Sequence, residues 1–258
     1  MITSSSNPRI KLIRALQSQR RARESERAFV IEGVRLGEEA ARAGLAPRLV
    51  LYTDDLDPRG QAALEALTRL GAGEVAAVTP TVMAAASDTP TPPGLLAVLS
   101  LPPATFSLPP SLSFALILDG IADPGNLGTM LRTALATGVE AVFLMPGTVD
   151  AYNPKVVRAA LGAHFRLPII ESDWDDLRQR LASLEVWLAE ARAGLAYPQV
   201  DWRKSCALLI GSEAEGPSAA ARQFTVRRVH IPMPGPAESL NAAVAAGVLL
   251  FEAARQRH

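Results

Sequence analysis

The sequence predicts an α/β protein of two domains, the larger of which is built on a parallel sheet. Two observations in the 258 residues indicate this fold class. Short and nearly all-apolar segments alternate with segments of helical periodicity, as in a parallel sheet that helices cover on both faces. The segment 101–113 holds four of the 20 prolines. Such a segment continues neither a helix nor a central strand, so we expect a linker between domains there.

The composition narrows the class of protein further. Hydrophobic residues make up 48% and charged residues 20%, which is typical of a globular chain. The single cysteine, Cys206, excludes an internal disulfide and a multi-cysteine zinc site, and we expect no metal. Lys+Arg and Asp+Glu both number 26, so nucleic acid could bind only through a local basic patch. We see neither a signal peptide nor an apolar stretch that spans a bilayer, and expect a cytoplasmic protein without membrane contact.

The first domain, predicted over 1–100, begins with a basic arm. Up to residue 23 the chain has no acid, and its apolar residues recur at three-residue spacing, which predicts a short helix. The candidate contacts to RNA phosphates in this arm are Arg9, Lys11, Arg20 and Arg21; a solvated helix explains the same charges equally well. Beyond the arm we expect strands at 29–33, 49–52, 75–78 and 94–99, helices at 34–43 and 62–70, and a short helix that opens at Pro80.

The second domain, predicted over 114–258, alternates more clearly. Strands are expected at 114–118, 141–144, 167–170, 186–189, 207–210 and 227–231. Helices are expected at 127–137, 154–161, 174–182, 218–223 and 240–254. In open parallel sheets ligands bind beyond the carboxyl ends of the strands, so the loops that follow the strands are the place to look for function.

Three such loops contain unusual clusters of glycine, proline and polar residues. Residues 119–129 read DGIADPGNLGT, residues 211–217 read GSEAEGP, and residues 231–241 read IPMPGPAESLN. Each loop alone is weak evidence, because glycine and proline after a strand usually turn the chain. Neither glycine loop has the dinucleotide spacing or the phosphate-loop lysine. No histidine lies in the three loops, and His164 and His230 are each expected in the core or on the surface.

Taken together and in this order, the three loops resemble the SpoU, or TrmH-type, family of RNA ribose 2′-O-methyltransferases. The matching segments are DPGNLGT at 123–129 with Arg132 one turn into the helix, IGSEAEG at 210–216, and IPM at 231–233 followed by ESLN at 238–241. The resemblance spans 114–252. The N-terminal half, with its 32–33 and 89–98 segments, looks like the small substrate-binding domain of that family, which is similar to the ribosomal protein L30e fold.

The resemblance implies a fold, a cofactor and partners. It implies a trefoil knot near the C-terminus that forms the S-adenosyl-L-methionine pocket, and a homodimer. It implies RNA as the partner, not DNA. Ribosomal RNA, most of all 23S, is favoured over transfer RNA because the N-terminal domain is similar to a ribosomal-protein fold.

The resemblance also assigns roles to residues. Arg132 would bind the target phosphate or ribose and stabilise the developing oxyanion, and a part in proton removal stays open. Asn126 would orient the ribose or Arg132, and Glu213 would hold the arginine or the loop. Ser239 and Asn241 would lie beside the cofactor and the target. The cofactor pocket would be lined by Gly211, Ile231, Met233 and Leu240. Lys155 and Arg158 would contact RNA phosphates, although a solvated helix face explains them equally well.

Alternative functions stay open at this point. The substrate could be transfer RNA. The chain could be a non-catalytic RNA-binding protein on the same scaffold, against which the intact set of motif residues argues. It could also be a metabolic α/β enzyme that acts on a small nucleotide, which the basic arm and the additional domain disfavour.

Overall fold

The computed structural model describes residues 1–102, 108, 111–236 and 238–258, and these form two compact units. The first unit holds the described residues up to 102 together with Tyr152–Phe165, and the second holds the described residues of 108–151 with Arg166–His258. The domains predicted over 1–100 and 114–258 stay predictions, and Tyr152–Phe165, which lies in the second predicted range, groups with the first unit. Most of the predicted linker 101–113 lies outside the described residues.

The helices and strands alternate along the whole chain. The helices are α1 (Pro8–Ser18), α2 (Arg20–Glu26), α3 (Val34–Arg42), α4 (Pro58–Arg69), α5 (Pro80–Ala86), α6 (Pro124–Ala136), α7 (Pro154–Ala160), α8 (Trp174–Arg180), α9 (Ala219–Phe224) and α10 (Ala242–Arg257). The strands are β1 (Ala28–Glu32), β2 (Leu49–Tyr52), β3 (Val75–Ala77), β4 (Leu95–Ser100), β5 (Phe114–Asp119), β6 (Ala141–Leu144), β7 (Ile169–Glu171), β8 (Glu185–Ala189), β9 (Leu195–Ala196), β10 (Cys206–Gly211) and β11 (Arg228–His230).

Several helices begin with the same local signal, a capping side chain followed directly by proline. The capping oxygen satisfies a free backbone N–H of the first turn, and proline fits the first helical position because its missing N–H would have no partner there. The pairs are Asn7-Pro8, Asp57-Pro58, Thr79-Pro80, Asp123-Pro124 and Asn153-Pro154. This signal explains why α4 and α6 begin three to four residues before the predicted helices 62–70 and 127–137.

The first unit is a four-stranded sheet in the order β1-β4-β2-β3, in which β4 runs antiparallel to both of its neighbours. The arm 1–23 belongs to this unit, because Ile10, Ile13 and Leu16 of α1 are fully buried in the core on one side of the sheet.

The segment 152–165 completes the core of the first unit. Val157 of α7 is buried in a cluster with Phe29 and Leu36, and the ring of Tyr152 lies 5.0 Å from that of Phe29. His164 stacks 5.2 Å from Tyr152 and is 3% exposed, as expected for a core residue. The sequence reads as one continuous α/β pattern here, so its periodicity did not reveal that α7 packs with the first unit.

The second unit is a seven-stranded sheet in which every pair of neighbours is parallel, as predicted. Its strand order is β7-β6-β5-β10-β8-β11-β9. The two central strands β5 and β10 are buried at every residue and pair over their whole length, from Phe114↔Cys206 to Asp119↔Gly211. The loops that follow β5 and β10 therefore start side by side.

The edge of this sheet has a feature that the sequence did not predict. The short strand β9 follows β8 after five residues, yet β11 lies between the two and pairs with both. Val229 has Ala189 on one side and Leu195 on the other. The connection 190–194 therefore crosses over β11, and Gly194 is its closest approach, with φ of +76°.

No helix within the described part of the chain is both long and apolar enough to cross a membrane.

We expect Gly194→Ala to lower the free energy of unfolding by about 2 kcal/mol or more, because the added methyl group would overlap the Arg228 carbonyl and the backbone would keep a positive φ. Denaturant unfolding measures the loss. Gly44→Ala is the matched control, since Gly44 has φ of +71° but open space around it, and it should cost about 1 kcal/mol. Equal losses in the two variants would contradict the tight crossing.

Candidate functional site

The three loops that the sequence singled out lie at the carboxyl edge of the parallel sheet, after β5, β10 and β11. Beside them is a cavity of about 310 Å³ within the second unit. The four predicted cofactor residues, Gly211, Ile231, Met233 and Leu240, all line it, and so do the predicted catalytic residues Glu213 and Ser239. The structure thus brings six of these residues to one cavity, while their roles stay predictions.

The loop after β10 folds back on itself against the cavity. A Cβ atom at Gly211 would overlap the backbone of Gly216 and Pro217, so only glycine permits this close approach. Asp119, a buried residue at the end of β5, accepts a 2.8 Å hydrogen bond from the backbone N–H of Ser218 and fixes the end of the loop. Asp119 therefore positions the cavity wall, a role that sequence reasoning missed.

A chain of side-chain hydrogen bonds joins the three loops. The Nδ2 of Asn126 donates to Oε1 of Glu213 over 3.0 Å, and the Nδ2 of Asn241 donates to Oδ1 of Asn126 over 3.0 Å. The second carboxylate oxygen of Glu213 accepts from the backbone N–H of Ala122 at 3.3 Å. We call Glu213, Asn126 and Asn241 the amide relay. It brings together three of the five predicted catalytic residues from positions up to 115 residues apart.

Two members of the relay, Asn126 and Asn241, are positioned by the helices in which they lie or which they cap. Asn126 lies in the first turn of α6, where Asp123 caps its backbone N–H at 2.8 Å. Asn241 is the N-cap of α10, and its Oδ1 accepts from the N–H groups of Ala243 and Val244. Because the Oδ1 of Asn241 is used by the cap, its Nδ2 group is left to donate to Asn126.

Arg132 stands apart from the relay. It is exposed on α6 and does not line the cavity, and its side chain makes no hydrogen bond or ion pair with any residue that the structure describes. Six residues separate it from Asn126, so the two side chains leave α6 in directions about 120° apart. Its guanidinium is therefore available to bind a ligand outside the cavity.

The predicted RNA contacts divide into paired and unpaired cations. Three of them form ion pairs inside the first unit: Arg9 with Glu74 at 2.6 Å, Arg20 with Glu24 at 2.7 Å, and Arg158 with Asp88 at 2.8 Å. The hydrogen bond to Glu74 is the main cause that raises the pKa of Arg9. Lys11, Arg21 and Lys155 are exposed, and the described part of the chain offers them no ion pair.

Arg158 is also 3.7 Å from Glu32, a carboxylate that is 3% exposed and accepts from the Thr89 hydroxyl. These ion pairs give Arg158 a structural role in the first unit, and its contact with RNA phosphates stays a prediction. The pairing acids lie 70 and 126 residues away in the sequence, which is why the helix pattern around Arg158 gave no sign of them.

Glu190, which follows β8 directly, lines the same cavity and was missed by the sequence reasoning. Its carboxylate pairs with Arg222 and with Arg228, each at 3.0 Å. An acid placed immediately after the buried strand at 186–189 was the signal that could have identified it.

The cavity fits a nucleoside-like ligand. Its volume lies in the range of small-molecule sites, and it combines apolar side chains such as Ile231 and Leu249 with polar loop backbone. His230 also lines it, and the Nδ1 of this histidine is buried with no hydrogen-bond partner among the residues that the structure describes. A buried polar atom beside a cavity is what a ligand would satisfy. The part of the chain that the structure describes contains no group of three or more potential metal ligands.

The fold and the site define an α/β protein that holds a nucleoside-like cofactor at the carboxyl ends of a parallel sheet and has a second α/β unit attached. The model of the SpoU rRNA Methylase family matches residues 113–251, and that of the MRM3-like substrate binding domain matches residues 7–97. The chain belongs to the SpoU family, whose members methylate RNA ribose with S-adenosylmethionine, and S-adenosylmethionine is its cofactor.

The similarity to individual proteins covers nearly the whole chain. The 23S rRNA (guanosine(2553)-2′-O)-methyltransferase RlmP of Bacillus subtilis is 32% identical over 97% of each chain. A crystal structure of an RNA 2′-O ribose methyltransferase is 35% identical, covers 99% of this chain and 98% of its own, and has a TM-score of 0.84. The AdoMet-bound rRNA methyltransferase of Sinorhizobium meliloti is 30% identical, with coverage of 98% and 97% and a TM-score of 0.84.

We expect Asn126→Ala to lower kcat about a hundredfold, because Glu213 and Asn241 would lose the partner that aligns their loops. S-adenosylmethionine affinity should change little, since neither Asn126 nor Asn241 lines the cavity. Steady-state kinetics and calorimetry measure the two effects. Asn153→Ala is the control, because Asn153 is also an asparagine at the start of a helix but lies outside the relay; an equal loss of kcat there would contradict a specific role.

Proposed function

We propose that this protein transfers a methyl group from S-adenosylmethionine to the 2′-hydroxyl of one ribose in 23S ribosomal RNA. The observation that carries the proposal is the amide relay, which ties the three family motifs together beside the cavity. The similarity to a 23S enzyme over 97% of the chain supports the choice of RNA.

The reaction sets the roles of the residues. Methyl transfer would break the bond from the methyl carbon to the sulfonium sulfur and form a bond to the 2′-oxygen, with S-adenosylhomocysteine leaving and the hydroxyl proton passing to water. The protein must therefore orient the hydroxyl and stabilise charge on its oxygen. Asn126 and Asn241 orient the loops around the target, and Ser239 presents its hydroxyl at the rim of the cavity. Gly211, Ile231, Met233 and Leu240 surround the cofactor. Arg132 binds the target phosphate or ribose and stabilises the oxyanion through its planar set of N–H donors.

The proposal is tested by labelled methyl transfer to unmodified 23S rRNA and, in parallel, to transfer RNA. The expected result is one alkali-resistant ribose in 23S rRNA. Label in transfer RNA alone would overturn the choice of RNA and favour the alternative substrate. Cofactor binding without transfer to either RNA would support a non-catalytic RNA-binding protein.

We expect Arg132→Ala to abolish methyl transfer, with a loss of about a hundredfold or more. The calorimetric affinity for S-adenosylmethionine should stay within about threefold, because Arg132 lies outside the cavity wall. Arg132→Lys keeps the charge but loses the planar fork, and it should recover part of the rate. Parallel losses of transfer and cofactor affinity would refute the assignment of Arg132 to the RNA side.

We propose that the first unit binds the RNA through the unpaired cations of its N-terminal arm. Lys11 and Arg14 lie three residues apart on the exposed side of α1, and Arg21 lies on α2. Lys155 of α7 adds an exposed cation to the same unit. Arg9 and Arg20 belong to the arm as well, but their ion pairs reduce what they offer to a phosphate.

The triple variant Lys11→Gln, Arg14→Gln and Arg21→Gln should weaken RNA binding about tenfold or more at low salt, because each lost phosphate contact removes one released counterion. The slope of log affinity against log salt concentration should become shallower by about two to three, because each of the three lost phosphate contacts contributes about 0.9 to the slope. The control replaces Arg42, Arg59 and Arg69 on α3 and α4 by Gln. Filter binding compares the two; an equal effect would point to net charge alone.

We propose that the chain forms a homodimer through α10. Val244 and Phe251, seven residues apart on one face of that helix, are 53% and 58% exposed. Two exposed apolar side chains aligned on one helix are typical of an interface. Light scattering should give twice the mass of the chain, and a monomer would overturn the proposal.

We also propose that the crossing of 190–194 over β11 is part of a trefoil knot, with α10 as the threaded segment. The passage of β11 between two strands that are joined by only five residues supports it. A crystal structure in which the backbone path contains no knot would refute it.

A cytoplasmic location suits a protein that acts on ribosomal RNA, and cell fractionation tests it.

A further inference from the structure

Glu190 is the charged residue of the cavity wall that the reaction does not explain. It follows β8, which lies in the sheet between β10 and β11, the two strands whose loops form the rest of the wall. Glu213, the other carboxylate of the wall, is already bonded to Asn126 and Ala122. Glu190 therefore faces the part of the cavity that is one strand further from the amide relay.

Two arginines hold this carboxylate in place. The Nε of Arg222 donates to Oε1 and the Nε of Arg228 donates to Oε2, both at 3.0 Å. Arg228 also donates to the backbone carbonyls of Arg222 and Arg227, so the carboxylate is tied to α9 and to β11 at once. Such a cluster fixes the orientation of both carboxylate oxygens before any ligand arrives.

The carboxylate retains acceptor capacity toward the cavity. An ionised carboxylate has about four lone-pair sites, of which the two arginines use two. The side chain is 24% exposed. Glu190 therefore presents one free acceptor site on each oxygen, and two adjacent acceptors match a pair of neighbouring hydroxyl donors.

We propose that Glu190 binds the 2′- and 3′-hydroxyls of the adenosine ribose of the cofactor. The reacting end of the cofactor must lie toward the amide relay, and the ribose comes next along the molecule, toward β8. Each ribose hydroxyl donates one hydrogen bond to one oxygen of Glu190. The two arginines compensate the negative charge, so the site recognises the diol and not the positive charge of the sulfonium.

The inference rests on the assignment of S-adenosylmethionine as the cofactor, and binding measurements test it without catalysis. Calorimetry compares S-adenosylhomocysteine with its 2′-deoxy analogue, which lacks one donor. The full-length wild-type chain should bind the deoxy analogue about tenfold or more weakly, as expected for the loss of a hydrogen bond to a charged acceptor. In Glu190→Gln the affinity for S-adenosylhomocysteine should fall, and the ratio of the two affinities should approach one.

Glu185→Gln is the matched control, because Glu185 begins the same strand, pairs with Arg227 and Lys204, and does not line the cavity. It should keep the wild-type ratio. Equal binding of the two nucleosides by the wild-type chain overturns the ribose assignment, even if Glu190→Gln does not fold. An unchanged ratio in folded Glu190→Gln overturns it as well. No binding of either nucleoside by the wild-type chain would instead contradict the cofactor.

Discussion

The site depends on the parallel pairing of β5 with β10. This pairing sets Asp119 opposite Gly211, so that the loops after the two strands leave the sheet at one level. Only then can Asp119 hold the backbone of Ser218, and only then does the carboxylate of Glu213 reach Asn126. Parallel pairing requires a long crossover connection, and residues 120–205 connect β5 to β10. The residues that act together are for this reason widely separated in the sequence.

The basic residues fall into two groups, those paired with a carboxylate and those that no described acid compensates. The chain carries equal numbers of basic and acidic residues, and many arginines are matched with a carboxylate nearby in space. Arg228 pairs with Glu190 of the cavity wall, and Arg158 pairs with Asp88 within the first unit. Both look like ordinary surface arginines in the sequence. Arg132, Lys11 and Arg21 differ from these because no acid compensates them within the described residues. An uncompensated cation in a neutral protein is available for a phosphate.

The sequence predicted the features that depend on neighbouring residues. The buried strands at 114–118 and 207–210 lie within β5 and β10, and the parallel second sheet is confirmed. The predicted strand 167–170 lies at 169–171, and the helix predicted for the arm is divided into α1 and α2 at Gln19. Those shifts of a few residues reflect caps and turns that periodicity does not register.

What the sequence could not predict depends on contacts between distant segments. The strand β9 has only two residues and exists because β11 lies beside it. The ion pairs of Arg9 and Arg158 need Glu74 and Asp88, which no local pattern connects to them. The grouping of Glu213, Asn126 and Asn241 came from the family resemblance, and the hydrogen bonds among them became visible only in three dimensions.

The packing of Tyr152–Phe165 with the first unit has a consequence for how the protein is made. A ribosome releases the chain from its N-terminus, and domains generally fold in that order as they emerge. Phe29 and Leu36 pack against the same core cluster as Val157, which is synthesised much later. The first unit therefore stays incomplete until more than half of the chain has been synthesised. By that time β5 and β6 of the second unit are already exposed. The two units therefore finish folding in overlapping periods of synthesis, although one of them begins at the first residue.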